Sequence, residues 1–284
     1  MMKQIILGIA TTGLVALGSQ SLRAAGHGPV FGAATPTLGR GGRSLDQAWT
    51  LRSGDPAASE QMLKTMVSFV ITEDLQLSGS VPIVMRTSDL AMTRMMSMMS
   101  SARDVEGLLA YRFQRRTIGI GGRQESTAYI GGSVPLDATR AGMRAAPSLY
   151  VGGATGYASR AHYFWIGGGL DHFVERQGDR LGDSRVVSVV YGYRPPPLRT
   201  EAGKPDLRFF LEATGEDRQA GRHSGMVMPT AARTMFVGPS ALLLYKQYGV
   251  EGGVLFPVYQ WVDPRRAQER FRVAVNVSYF FWSK

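Results

Sequence analysis

Six methionines crowd one stretch of the chain: Met85, Met92, Met95, Met96, Met98 and Met99. A thioether is a soft ligand, and several in one segment suit Cu(I). Met92, Met95, Met96, Met98 and Met99 are therefore the candidate metal ligands. The plain alternative is apolar packing, because methionine fills irregular gaps. Histidine offers less. His27 and His223 stand alone, and His162 and His172 lie ten residues apart in one extended segment. At ~3.3 Å per residue that is roughly 30 Å, too far for one metal ion. A hydrolase would set one of these histidines against Ser148, Ser184 or Ser188. No spacing selects such a pair. Gly119 to Gly122 lacks the third glycine of a dinucleotide fingerprint and has no strand–loop–helix context. No enzyme activity and no cofactor are expected.

The other residues able to do chemistry are Glu106, Arg112, Arg208, Glu212, Arg272 and Asn276. Each sits between apolar residues in an alternating segment. If the apolar face meets lipid, these side chains line a lumen. There, charges of both signs either pair and close the bore or set selectivity.

The elements that carry them read as strands. The last one, ERFRVAVNVSYFF, puts Phe271, Val273, Val275, Val277, Tyr279 and Phe281 on one face and Arg272, Ala274, Asn276, Ser278 and Phe280 on the other. A period of two is a strand signal. About ten such residues span a bilayer when tilted. The same alternation recurs from the stretch Gln47 to Arg52 onward, giving about twelve strands. The stretch from Met235 to Tyr245 alternates least cleanly. Only Asp89–Ser101 and Asp137–Ala145 compete as helices. Short connections fall at 72–74, 159–161 and 247, and longer ones at 85–104, 137–147, 174–184, 194–205, 215–232 and 262–268. Short turns on one rim and long loops on the other suit an outer-membrane barrel. Tyrosines and tryptophans near strand ends, Tyr163 and Trp165 among them, read as interfacial belts.

Composition sets the boundaries. The chain has 284 residues, no cysteine and a formal charge of +10. Disulfides and thiolate zinc sites are excluded. The arginines are scattered and form no block, which argues against a nucleic-acid partner and suits anionic lipid headgroups, lipopolysaccharide phosphates included. Lys3, the apolar run Ile5–Gly18 and the small residues after it read as a cleaved export signal. The expected organisation is a signal peptide over 1–25, an irregular segment over 26–46 that plugs or caps the lumen, and a barrel over 47–284.

Four stretches carry a family resemblance: GPVFGAATPTLGRGGRSLDQAW, MLKTMVSFVITEDLQLSGSVPI, GVEGGVLFPVYQ and ERFRVAVNVSYFF. They resemble the outer-membrane β-barrels grouped as "MetA-pathway of phenol degradation" proteins. The resemblance implies a Gram-negative outer-membrane channel for hydrophobic or aromatic compounds, and similar proteins are associated with metal efflux. It carries no site residues over. The expectation is an all-β, transmembrane, antiparallel up-and-down barrel of about twelve strands, outer-membrane in type and location, porin-like and monomeric. Its partners would be outer-membrane lipid, lipopolysaccharide, the barrel-insertion machinery and a small solute. A copper-handling barrel using the methionine-rich loop and a closed structural barrel are the alternatives.

Overall fold

In the computed structural model of the chain, residues 28–35, 38, 40–54, 59–86, 104–136, 139–140, 143–196, 204–262 and 268–282 are described. The expected signal peptide, the candidate helix Asp89–Ser101 and the candidate ligands Met92 to Met99 lie outside them. Twelve strands form one closed barrel. They are β1 (Gly42–Ser53), β2 (Ser59–Thr72), β3 (Leu75–Arg86), β4 (Asp104–Ile118), β5 (Gly122–Pro135) and β6 (Ser148–Ala158). The second half holds β7 (His162–Phe173), β8 (Ser184–Tyr193), β9 (Asp206–Arg218), β10 (Ala232–Tyr245), β11 (Tyr248–Val262) and β12 (Phe271–Trp282). Each pairs antiparallel with the next. β1 closes the ring against β12, with Ala48 opposite Asn276. Closure leaves no edge strand, which a membrane requires because lipid cannot satisfy free backbone groups.

The two faces follow from the pleat. In β8 the alternation is complete: Val187, Val189 and Tyr191 are exposed, while Val186, Ser188 and Val190 are buried. Around the barrel the exposed face is apolar and the buried face carries most of the charges. A soluble barrel would reverse this. The arrangement fits a wall in hydrocarbon with a polar interior. Outward tyrosines gather toward the short-turn rim, among them Tyr111, Tyr157, Tyr193, Tyr245 and Tyr248. Tyr248 and Tyr279 meet edge-on at 5.2 Å between ring centroids.

Four features depart from the sequence reading. Tyr163 and Trp165 do not join the belts. They point inward, 6% and 3% exposed, and stack at 5.5 Å. The segment Asp137–Ala145 holds no helix among its described residues. It carries a short ladder pairing Thr139–Arg140 with Met143–Arg144. The Arg144 N–H is donated outward to Asp179, at 2.7 Å, instead of along a helix. The connection at 194–205 lies on the short-turn rim, not with the long loops. β1 also begins at Gly42, earlier than Gln47.

β10 looked irregular in sequence because its inward face is partly apolar. Phe236 and Leu242 point inward and are buried, whereas Met235 and Leu243 point outward. A register shift between Met235 and Phe236 bends the ladder with β11.

Candidate functional site in the barrel lumen

Twelve strands about 4.8 Å apart and tilted by about 40° enclose a bore of roughly 24 Å, backbone to backbone. Sheets pack at about 10 Å. An extended segment pressed to that distance from one wall leaves surplus space before the other. The residues ahead of β1 do this.

Gly28–Thr35 runs inside the barrel. The Glu212 carboxylate, on β9, accepts the N–H groups of Val30 (2.9 Å), Phe31 (2.8 Å) and Gly32 (2.7 Å). The Ser240 hydroxyl also donates to it. Backbone N–H groups converging on a carboxylate make charge-assisted bonds, roughly twice as strong as neutral ones. Farther along, Ser188 accepts from Ala33 N–H at 3.0 Å, and Thr127 donates to the Thr35 carbonyl at 2.9 Å. Tyr129 donates to the Ala34 carbonyl, and Trp165 Nε1 to Thr35 Oγ1 at 3.2 Å. These anchors sit on β5, β7, β8 and β9, the same side of the ring, with Ser240 on neighbouring β10. Phe31 joins a buried cluster with Val30, Met62, Phe236 and Leu255. A Cβ at Gly32 would come within 2.3 Å of Val190 Cγ2, so only glycine lets the backbone lie this close to β8.

Ion pairs lie in the bore toward both ends. Toward the loop rim, Arg272 donates to Glu269 (2.7 Å) and Glu216 (2.8 Å), and Arg52 binds Glu60 (3.4 Å) and Glu269. The Arg272 guanidinium also lies 3.9 Å over the Phe236 ring. Toward the short-turn rim, Arg112 donates to Asp74 (2.9 Å) and Glu125 (3.1 Å), and Arg208 to Asp206 (2.7 Å).

Between these networks lies a cavity of about 230 Å³. One side is the inserted segment. Most of the rest is β1 to β4, β11 and β12, opposite the anchoring wall, together with Tyr129 and Tyr150. Asp46, Lys64, Gln76, Glu106, Asp171, Glu251 and Asn276 supply its charged and amide groups. Lys64 pairs with Glu106 at 2.6 Å.

The structure thus divides the six inward residues singled out in the sequence. Glu106 and Asn276 line the cavity. Arg112, Arg208 and Arg272 are held in ion pairs away from it, and Glu212 holds the inserted segment. Asp46, Lys64, Asp171 and Glu251 also line it but were not among the six. Glu251 sits between the outward residues Val250 and Gly252, so strand parity marks it as inward. The histidines do not pair with the serines. His162 and His172 are on the outer, exposed face, whereas Ser148, Ser184 and Ser188 are inward and buried. His162 Nδ1 meets Tyr191 Oη at 2.9 Å, and His172 Nδ1 meets Asp183 at 3.2 Å.

The loop rim is tied together by Asp179. It accepts the N–H of Arg144 (2.7 Å), the N–H of Ser224 (2.8 Å) and meets the His223 ring (2.9 Å). The two backbone donors, Arg144 first, and then His223 hold its carboxyl below the usual carboxylate range.

No family model matches the chain, and no curated protein matches it. Solved structures do. The COG4313 outer membrane channel from Pseudomonas putida F1 superposes with a TM-score of 0.61 at 13% identity, covering 86% of this chain and 97% of that one. The NanC porin superposes with a TM-score of 0.51 at 12% identity, covering 83% and 98%. At these identities the likeness is one of fold, and the chain is a twelve-stranded antiparallel barrel of the outer-membrane type.

Proposed function

We propose that this protein is an outer-membrane channel for the passive passage of small solutes, narrowed by its own N-terminal segment. The observation that carries the reading is the lumen itself. A cavity of about 230 Å³, lined by charged and polar groups and by a larger share of apolar surface, lies beside the inserted segment, inside a wall whose outer face is apolar. No covalent chemistry is implied by the side chains around it. Passage would be diffusion past groups that replace parts of a solute's hydration shell. The resemblance to the phenol-degradation barrels suggests aromatic solutes, and Tyr129, Tyr150 and Leu108 give the cavity apolar surface for them. Similarity of fold to two outer-membrane channels supports the general role but names no solute.

The test is electrical. Folded full-length protein in planar bilayers should give small, discrete conductance steps. Persistent silence from correctly folded protein would replace this reading with that of a closed barrel.

A further inference from the structure

We propose that the outer wall carries a site for an anionic phospholipid of the periplasmic leaflet, below the tips of the β4–β5 and β6–β7 hairpins. The site lies outside the bore and is independent of solute passage. Short turns of such barrels face the periplasm, so this rim meets the inner leaflet. Arg116 on β4 is opposite Gln124 on β5, and Gln124 is opposite Tyr157 on β6. Tyr157 is on the outer face near the turn, where tyrosines settle at headgroup depth. Arg160, in the β6–β7 turn, lies across the neighbouring hairpin. A Cβ at Gly121 would come within 3.1 Å of Arg160 Nε, and Gly121 has a φ of 78°. Glycine thus serves that turn twice, by its backbone form and by the room it leaves.

Arg116 and Arg160 are exposed, and neither has an ion-pair partner among the described residues. The carboxylates of this part of the rim are engaged elsewhere. Glu125 faces the bore, with Arg112 at 3.1 Å and Arg123 at 3.5 Å, and Glu73 lies 3.5 Å from Arg115. A guanidinium at headgroup depth suits a phosphate, which it meets with paired donors. The outward arginines of the loop rim are placed differently. Arg233 pairs with Asp217 at 3.1 Å, and Arg185 is opposite Asp217 in the ladder. Free positive charge therefore favours a phospholipid of the inner leaflet over lipopolysaccharide in the outer one.

Two exposed arginines alone would not define a lipid site. The wall beneath them does. In the next row Gln114, Ser126 and Thr155 are opposite one another, polar residues on a face that is otherwise apolar. A bulge between Arg112 and Gln114 makes this row, because without the extra residue strand parity would turn Gln114 into the bore. Ser126 is 5% exposed, donates to Gln114 Oε1 at 3.0 Å and meets Thr155 Oγ1 at 2.9 Å. The Gln114 amide N–H groups have no acceptor among the described residues, which leaves them for a phosphate or ester oxygen. One row deeper come Ala128, Gly153 and Gly168, again opposite one another. A Cβ at Gly153 would meet only backbone atoms, so no side chain covers this strip. The outward Ile130, Val151 and Ile166 border it. Guanidinium groups, then amide and hydroxyl, then an apolar trough follow the order of phosphate, glycerol ester and acyl chain in a phospholipid.

The experiment titrates lipid into the folded, full-length protein in detergent and counts bound molecules by native mass spectrometry. The probes are dioleoylphosphatidylglycerol, dioleoylphosphatidylcholine and lipid A. The wild type should bind phosphatidylglycerol saturably and in preference to the other two. The double variant Arg116→Gln/Arg160→Gln should bind it roughly tenfold more weakly, through loss of two basic groups at an anionic surface. Arg185→Gln, on the loop rim, should bind as the wild type does. Ala128→Phe fills the trough, and should weaken binding of dioleoylphosphatidylglycerol while leaving the short-chain dihexanoyl form unaffected. All four substituted side chains are exposed, and gel mobility with and without heating verifies that each variant is folded.

Equal binding of phosphatidylglycerol and phosphatidylcholine by the wild type would overturn the proposal. So would unchanged binding in the double variant. Tighter binding of lipid A would move the preference to the outer leaflet and also sink it. Poly-glutamate is the last probe. If it binds through Arg116 and Arg160 while phosphatidylglycerol does not, the surface serves an acidic protein segment and not a lipid.

Discussion

At the scale of single residues, Glu212 holds the inserted segment. One buried carboxylate takes three consecutive backbone N–H groups and a serine hydroxyl. Removing it strands those donors in a closed interior, and an unsatisfied buried donor costs about 1–3 kcal/mol. Glu212→Ala should therefore destabilise docking of the segment by at least about 2 kcal/mol, allowing for partial relaxation. Limited proteolysis near Gly28–Thr35 should become faster while the barrel stays protected. Unchanged cleavage would mean that the segment is held by Phe31 and its apolar neighbours instead. The ion pairs obey a different rule. Arg272 is 1% exposed and shared between two glutamates. Removing one partner leaves buried charge uncompensated, which typically costs about 3–5 kcal/mol.

At the scale of elements, the strands and loops answer to separate physics. Val275 is on the outer face of β12 and 39% exposed, flanked by the buried Ala274 and Asn276. If that face meets hydrocarbon, Val275→Arg should cost about 2–4 kcal/mol of folding free energy near the bilayer midplane. Reversible unfolding from lipid vesicles would measure it, and a near-neutral result would show that the position lies at an interface. On the loop rim, Asp179 joins three connections through Arg144, Ser224 and His223. Its carboxyl is more acidic in the folded state than in an unfolded chain. The stabilisation is therefore present above the unfolded pKa, about 3.9, and is lost as pH falls below that toward the folded value. Hydrogen exchange at the Arg144 and Ser224 amides should be unaffected by pH-driven release at pH 7 and should show loop opening once the pH is taken well below the ordinary carboxylate range. Asp179→Asn should reproduce the acid behaviour at pH 7.

At the scale of the whole molecule, the strand ladder closes without help from the N-terminal segment. Every strand is paired on both sides by barrel strands. Deleting residues 28–38 should thus leave a folded barrel with larger conductance steps, measured in the same bilayers as the intact chain. It should also bare the inward Phe236, Leu255 and Trp165, and so lower stability. If the deletion prevents folding, the segment is part of the core and not an insert.

The amino-acid sequence by itself determined the wall. Because side chains on a strand alternate with a period of two, the apolar and polar sets of Val187–Tyr193 or Phe271–Phe281 could be assigned to faces before any contact was known. The number of strands, the antiparallel order and the inward position of Glu106, Arg112, Arg208, Glu212, Arg272 and Asn276 followed from the same rule. Glu251 obeys the same parity, but nothing local distinguished it from other inward residues and it was not singled out. The interior was decided only by tertiary structure. Val30 and Glu212 are 182 residues apart, and Arg52 and Glu269 are 217 apart. Pairings at such separations have no period to betray them. Tyr163, Trp165 and Phe236 show the limit most clearly. Their sequence context suited a lipid-facing belt or an irregular strand. Strand parity turns them inward, and the piece of the same chain that lies in the bore gives two of them a partner there: Phe31 packs with Phe236, and Thr35 accepts from Trp165.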